Sequence, residues 1–351
     1  MNSPFKFLDA YSREDKDIFF GRSKETEDLY EEVFKTNLLL LYGASGTGKT
    51  SLINCGLGNK FADTDWYAIS IRRLSNLVNS LQRAIQTHAE TPIESGTPIR
   101  QAIHSLYLDT YLPIYLIFDQ FEELFILGDE AEQEQFFYQL SEILQTGLQC
   151  KVILSMREEY LAHLSDYEKI VPSLFDHRYR IERMSFSNLK EVISQTTDSF
   201  AIRLEPMEET IDLILQQLQD KREGIDLTHL QVYLDRLYRQ DMKRQGISPS
   251  ENAITFDPDL IGSVGKVENV LAEFLEEQLA EIDQALGKQD VALAVLFVFV
   301  SEDGTNQHIH RSYVEDYLMK TKGITAEEID YCLQQFAEKR ILKPVIIDED
   351  E

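Results

Sequence analysis

The sequence predicts an α/β fold: a three-layer domain on a parallel sheet, followed by an all-α helical domain and a winged-helix domain. Three observations predict it. Short apolar runs alternate with helix-spaced stretches through the first half of the chain, the pattern of parallel strands covered by helices. A glycine-rich turn follows the first apolar run at the point where strand gives way to helix. Beyond Ser185 strands nearly vanish and helical spacing dominates.

The polar, helix-forming stretch Ser23–Lys35 leads into Asn37–Tyr42 (NLLLLY), a run suited to a strand buried on both faces. A helix opens over Thr50–Leu57, and Trp66–Ile71 (WYAISI) reads as a second strand. Leu74–Glu90 and Pro98–Asp109 carry helical spacing on either side of a loop punctuated by Pro92, Gly96 and Pro98. Ile114–Asp119 (IYLIFD) and Cys150–Met156 (CKVILSM) are further buried strands, separated by the helix-like Glu130–Thr146, and a last strand is expected near Arg178–Met184. A sheet of this kind binds ligands at the carboxyl ends of its strands. Helices then follow at Asn188–Phe200, Glu208–Leu218 and Leu227–Gln245, with a linker over Gln245–Asp259. The chain closes with helices at Val267–Leu286, Asp290–Val300, Arg311–Lys320 and Thr325–Lys339 and an extended Ile341–Ile347. The domains implied are 1–185 for nucleotide binding, 186–250 as a helical domain, and 251–351 as a winged-helix-like domain.

A net charge of -27 repels phosphate backbones and anionic lipid, which argues against nucleic acid and membrane as partners. Cys55, Cys150 and Cys332 lack the spacing of a zinc site or a disulfide framework, and the N-terminus lacks a signal-peptide core, so the expected location is cytoplasmic. The longest apolar run, Val291–Val300, spans half of what a membrane helix requires.

The chemistry begins at Gly43-Ala44-Ser45-Gly46-Thr47-Gly48-Lys49-Thr50, which fits GxxxxGK[ST] between a strand and a helix start, with Ser51 next in the same turn. In such a P-loop the backbone N–H groups wrap phosphates, the lysine neutralises their β/γ oxygens, and the hydroxyl ligates Mg²⁺. ATP or ADP with Mg²⁺ is therefore the expected ligand. Asp119 ends a buried strand where a carboxylate would hold the metal through water, across from Thr50. Hydrolysis needs a further carboxylate beside the attacking water, and both Glu122 and Glu123 are candidates. Arg157 follows the VILSM strand and is a candidate sensor of the γ-phosphate, with a salt bridge near Glu158 or Glu159 as the alternative. Arg72 and Arg73 follow the second strand where they could touch phosphate, but read more simply as solvated; Arg236, Arg239, Lys243 and Arg244 read as a soluble helix face, and His308 and His310 as ordinary polar residues.

Four blocks in order, Ile18-Phe19-Phe20-Gly21-Arg22, LLLLYGASGTGKTSLINCGL, LIFDQFEELF and VILSMREEYL, resemble the STAND class of signal-transduction ATPases, in particular the novel STAND NTPases. The resemblance implies that Glu122 and Glu123 position water, that Arg157 is the first sensor, and that Phe20, Gly21 and Arg22 line the adenine side. It also implies that Leu227-Thr228-His229-Leu230-Gln231 is the segment that relatives set against adenine, with Thr228 where they carry proline. Relatives touch the nucleotide with a winged-helix histidine beyond the region resembled by Arg340–Glu351, so a longer parent protein is implied. The activity implied is a slow ATPase working as an ADP/ATP-controlled switch that self-associates on activation, answers an unidentified protein trigger or effector, and serves bacterial antiviral defence. An AAA+-like ATPase acting on DNA is the competing reading, opposed by the acidic Val267–Glu351. A nonhydrolysing scaffold is a third, opposed by the intact Lys49, Thr50 and Asp119.

Overall fold

Leu38–Gly43 (β1) forms a strand because both of its faces can be buried: Leu38 and Leu40 enter one apolar core, and Leu39 and Leu41 enter the other. The structure, a computed structural model, describes residues 3–94, 96–145, 149–219, 224–245, 254–300, 309–338 and 341–342. They fall into two units, Met1–Val264 and Gly265–Glu351.

In the first unit β1 is joined by β2 (Tyr67–Ile71), β3 (Ile114–Phe118), β4 (Cys150–Arg157) and β5 (Arg178–Arg180). All pairings are parallel, in the order β2-β3-β4-β1-β5. β5 stops short of the expected Met184, since its ladder with β1 covers Leu40–Tyr42 alone. α1 (Ser23–Lys35) covers one face of the sheet with Leu29 and Val33. α2 (Lys49–Ser51) starts the predicted helix after the glycine turn, but the chain widens at once into a π-helical turn over Leu52–Leu57, whose Leu52, Ile53 and Leu57 join the same core. The opposite face is covered by α3 (Leu77–His88), α4 (Ile99–Thr110) and α6 (Glu130–Gln145), with the short α5 (Glu123–Leu127) leading into the last of these.

The helical part contains α7 (Phe186–Ser199), α8 (Met207–Leu218) and α9 (Leu227–Gln245). The two-residue strands β6 (Arg203–Leu204) and β7 (Thr255–Phe256) pair in parallel, so Thr255 and Phe256 are sheet rather than linker. α10 (Pro258–Val264) follows where the sequence reading placed the linker's end; its first residue is proline, whose fixed φ suits a helix start. By compactness the boundary between the two units lies at Val264/Gly265, at the end of α10. Contacts to the start of the chain explain why these helices stay with the sheet. Phe5 meets Phe200 and Tyr238 edge-on at 6.2 and 6.3 Å, and the Lys6 N–H donates to Gln231 Oε1 at 3.3 Å.

The second unit comprises α11 (Val267–Leu286), α12 (Val291–Phe297), α13 (Arg311–Thr321) and α14 (Ala326–Glu338), closed around Ile282, Val295, Val314, Ile329, Cys332 and Phe336. Asp283 fixes the entry to α12 by accepting the N–H groups of Asp290 and Ala292 at 2.7 and 2.8 Å. Residues 343–347 of the expected terminal strand, residues 246–253 of the expected linker, and His308 lie outside the described residues. No helix among the described residues is long and apolar enough to cross a membrane.

Candidate functional site

Because the five strands are parallel, their carboxyl ends share one edge, and register decides which residues meet there. Gly43 lies opposite Arg157, while Phe118 lies opposite both Ile71 and Leu154. Asp119 and Arg72 therefore leave adjacent strands side by side.

The glycine loop between β1 and α2 has Gly46 at φ 70° and Gly48 at φ 84°, the left-handed region that glycine enters without a Cβ penalty. Lys49 Nζ donates to the carbonyls of Gly43 and Ala44, each at 2.9 Å. Burial pushes this ammonium below the usual lysine range, and the largest charge opposing the shift is Glu122. A desolvated cation bonded to neutral carbonyls is a strong local attractor for an anion. The loop is braced from behind by the buried Arg22, whose Nη2 donates to the carbonyls of Thr47 and Glu182 at 3.0 Å each. Thr47 Oγ1 donates to the Ala44 carbonyl at 3.0 Å, and the Ser51 hydroxyl accepts the Tyr11 N–H at 3.1 Å. Beside Ala44 and Ser45 opens a cleft of about 480 Å³, lined also by Glu158, Glu159, Arg180, Ile181, Glu182 and Arg183.

Asp119 is buried, and its carboxylate accepts the Thr50 hydroxyl at 2.9 and 3.2 Å. Arg72 reaches the same carboxylate from β2, with Nη2 at 2.5 Å and Nε at 3.2 Å from Oδ2. The donor set fits Mg²⁺: a hydroxyl and a carboxylate, both hard oxygens, already converge beside a phosphate-type loop. Among the described residues no group of three or more His, Cys, Asp or Glu side chains could hold a metal, so an ion here depends on phosphate and water for its remaining ligands.

After Asp119 the chain turns through Gln120 in a left-handed conformation (φ 57°), and the Phe121 N–H anchors to the Ser155 carbonyl at 2.8 Å. This turn carries Glu122 back over the end of β4. Glu122 Oε2 accepts the Arg157 N–H at 3.2 Å, and Oε1 pairs with Arg157 Nε at 3.1 Å. Glu122 is 4% exposed, and burial raises its carboxyl above the usual glutamate range against the lowering influence of Arg157 and Lys49. The partner of Arg157 is thus Glu122; Glu158 pairs instead with Arg180 at 2.8 Å. Glu123 opens α5, half-buried.

The leader residues lie behind the loop. Phe20 is half-buried, the Gly21 carbonyl accepts Asn188 Nδ2 from α7 at 3.1 Å, and Arg22 also pairs with Glu25. Arg72, read as solvated in the sequence, is bound to Asp119. Arg73, read likewise, is buried in a two-toothed pair with Glu132, Nε to Oε1 at 2.9 Å and Nη2 to Oε2 at 2.8 Å. Glu132 Oε1 also accepts the Leu77 N–H at 2.6 Å. The shared position of Arg72 and Asp119, each one residue beyond its strand, is a signal that could have found the first pair. Nothing local marks the last contact: the Leu227 N–H donates to the Gly46 carbonyl at 3.0 Å, with Asp226 laid over the same glycine. In the basic stripe of α9, Arg239 reaches the buried Asp235 at 2.7 Å, Arg244 pairs with Asp257 at 2.7 Å and with the buried Asp241 at 3.0 Å, and His310 accepts the Ser312 N–H at the start of α13.

A family model described as Novel STAND NTPase 1 matches residues 4–346. No curated protein matches the sequence. The fold is similar to that of the ORC1 protein of Aeropyrum pernix in complex with DNA, with TM-score 0.52, 15% identity, and coverage of 99% of this chain and 92% of that one. It is also similar to the ADP form of the ORC2 protein of Aeropyrum pernix (TM-score 0.55, 16% identity, coverage 96% and 90%). A Walker-type ATPase of Pyrococcus abyssi is a third (TM-score 0.51, 17% identity, coverage 96% and 93%). At these identities the likeness is one of fold.

Proposed function

The chain belongs to the Novel STAND NTPase 1 family and has an AAA+-type P-loop NTPase fold, and on that premise we propose that it binds ATP and ADP with Mg²⁺, hydrolyses ATP slowly, and works as a nucleotide-controlled switch. The observation that carries this reading is the convergence of Lys49, Asp119 and Glu122 on one sheet edge: a buried ammonium in a glycine loop and two buried carboxylates, each with its own cation.

In this reading the loop N–H groups of Gly43–Thr50 and the Lys49 ammonium bind the phosphates. Thr50 and Asp119 hold the Mg²⁺, which supplies charge neutralisation when bound. Glu122 orients the attacking water and accepts its proton; it is favoured over Glu123 because it is buried and turned back to Arg157 at the end of β4, while Glu123 opens α5. Arg157 keeps Glu122 in place and serves as the first sensor. Phe20 and Gly21 lie to the adenine side, where Arg22 acts through the loop it braces. The nucleotide-binding, helical and winged-helix-like division at 1–185, 186–250 and 251–351, self-association, a protein trigger or effector, cytoplasmic location and antiviral defence are carried by family analogy. The net charge of -27 weighs against a DNA-acting machine.

Denaturing the freshly purified protein is expected to release ADP, identified by chromatography. Lys49→Ala is expected to release none and to bind nucleotide about a hundredfold more weakly, as befits loss of a charge-assisted phosphate contact. Equal affinity in the two proteins would overturn the reading.

A pH profile tests the role of Glu122. Since its carboxyl is raised, the ionised form is lost on acidification earlier than for an exposed glutamate, so the acid limb of kcat is expected above the usual glutamate range. Arg157→Ala removes a charge that lowers this pKa and is expected to move the limb to higher pH. A limb that Arg157→Ala leaves in place would detach Glu122 from the hydrolytic step.

A further inference from the structure

The start of α9 is fastened to the outside of the glycine loop at three points. The Leu227 N–H donates to the Gly46 carbonyl at 3.0 Å. Leu227 Cδ1 lies 3.2 Å from where a Cβ would sit on Gly48. A Cβ on Gly46 would lie 1.8 Å from Asp226 Oδ2 and 2.2 Å from Oδ1, so the whole carboxylate rests on the glycine. Asp226 is itself fixed, because Oδ1 accepts the Thr228 N–H at 2.7 Å and its carbonyl accepts the Leu230 N–H at 3.1 Å. Among the described residues no cation pairs with it, in contrast to Asp119 with Arg72 and Glu122 with Arg157. A negative charge thus lies against the loop proposed to receive phosphates, on a side chain bonded to the first turn of α9.

We propose that Asp226 is a charge-sensing latch, which biases the loop toward nucleoside diphosphate and is pushed off Gly46, together with the start of α9, by the extra charge of a triphosphate. The proposal rests on the nucleotide-binding reading of the loop. A triphosphate carries one more negative charge than a diphosphate, so a carboxylate on the loop repels both and the triphosphate more. A ligand shifts a two-state element only by its differential affinity for the states, and Asp226 supplies such a difference. Because Leu227 and Asp226 grip the same residue, relief of the repulsion is transmitted to α9, whose Gln231 also receives the Lys6 N–H from the chain's start.

The discriminating variant is Asp226→Asn. Asparagine caps a helix about as well as aspartate and has the same shape, so it keeps the Thr228 bond and the packing while removing the charge. Dissociation constants of Mg-ADP and a nonhydrolysable Mg-ATP analogue are measured by fluorescent-nucleotide displacement on the full chain, at low and at high salt, with Lys49→Ala alongside. At low salt Asp226→Asn is expected to shift the affinity ratio toward the triphosphate about three- to tenfold, with most of the shift screened at high salt. In hydrogen exchange, the triphosphate analogue is expected to speed exchange of the Leu227–Leu230 amides in the wild type and to change it little in the variant. An unchanged ratio with nucleotide still bound would overturn the latch and leave the nucleotide reading standing. Lys49→Ala binding as tightly as wild type would overturn the nucleotide reading itself, and the latch with it.

Discussion

Glu122→Gln is expected to keep ATP bound while slowing its hydrolysis about a hundredfold to ten-thousandfold, the range for loss of a positioned general base. Glutamine matches the side chain in size and still accepts the Arg157 N–H, so the turn through Gln120 survives. What disappears is the negative charge beside Lys49 and the group able to take a proton from water. Arg157 tolerates the loss because its side chain is 45% exposed and can be hydrated. Single-turnover hydrolysis, with chromatography of the nucleotide retained after gel filtration, measures both effects. A variant that turns over at the wild-type rate, with Glu123→Gln slow instead, would transfer the role to Glu123.

Glu132→Ala is expected to destabilise the first unit by about 3–5 kcal/mol, the usual cost of removing one partner from a buried ion pair. Arg73, 8% exposed, would keep its charge in the apolar layer between α3 and α6, and the Leu77 N–H at the start of α3 would lose its acceptor. The urea midpoint of the unfolding transition reads the loss, with the slope unchanged if only the native state is affected. A drop below about 1 kcal/mol would mean that water reaches Arg73 in the variant, as it does at surface pairs.

The glycine loop, the four apolar strands and Asp119 could be read from the chain because each is written in neighbouring residues. Leu38–Leu41 must be buried on both faces, and a lysine after Gly48 at a helix start has few other uses. Glu122 and Glu123 could not be separated in that way, since the choice depends on one left-handed residue, Gln120, that decides which carboxylate swings back to Arg157. Arg72 and Arg73 looked alike as consecutive polar residues after a strand. Register sends one to Asp119 and the other to Glu132, which is information held by the partner strands and α6 rather than by the arginines. The Asp226 contact lies further still from any local pattern, because it exists only once α9 has folded back over the loop.

The strand order has a consequence for how the protein is made. β1, which carries the glycine loop, is flanked by β4 and β5, while β2 and β3 lie beyond β4. During synthesis β1 leaves the ribosome first but has no neighbour in the sheet until the chain has grown past β4. Its backbone groups are unpaired for that whole interval, although α1 can already cover Leu39 and Leu41, and such long-range pairing is slow to close. The growing chain consequently gains its phosphate-type loop only after nearly the whole sheet domain has emerged, so a truncated translation product ending before β4 is expected to be a chaperone client with no nucleotide affinity.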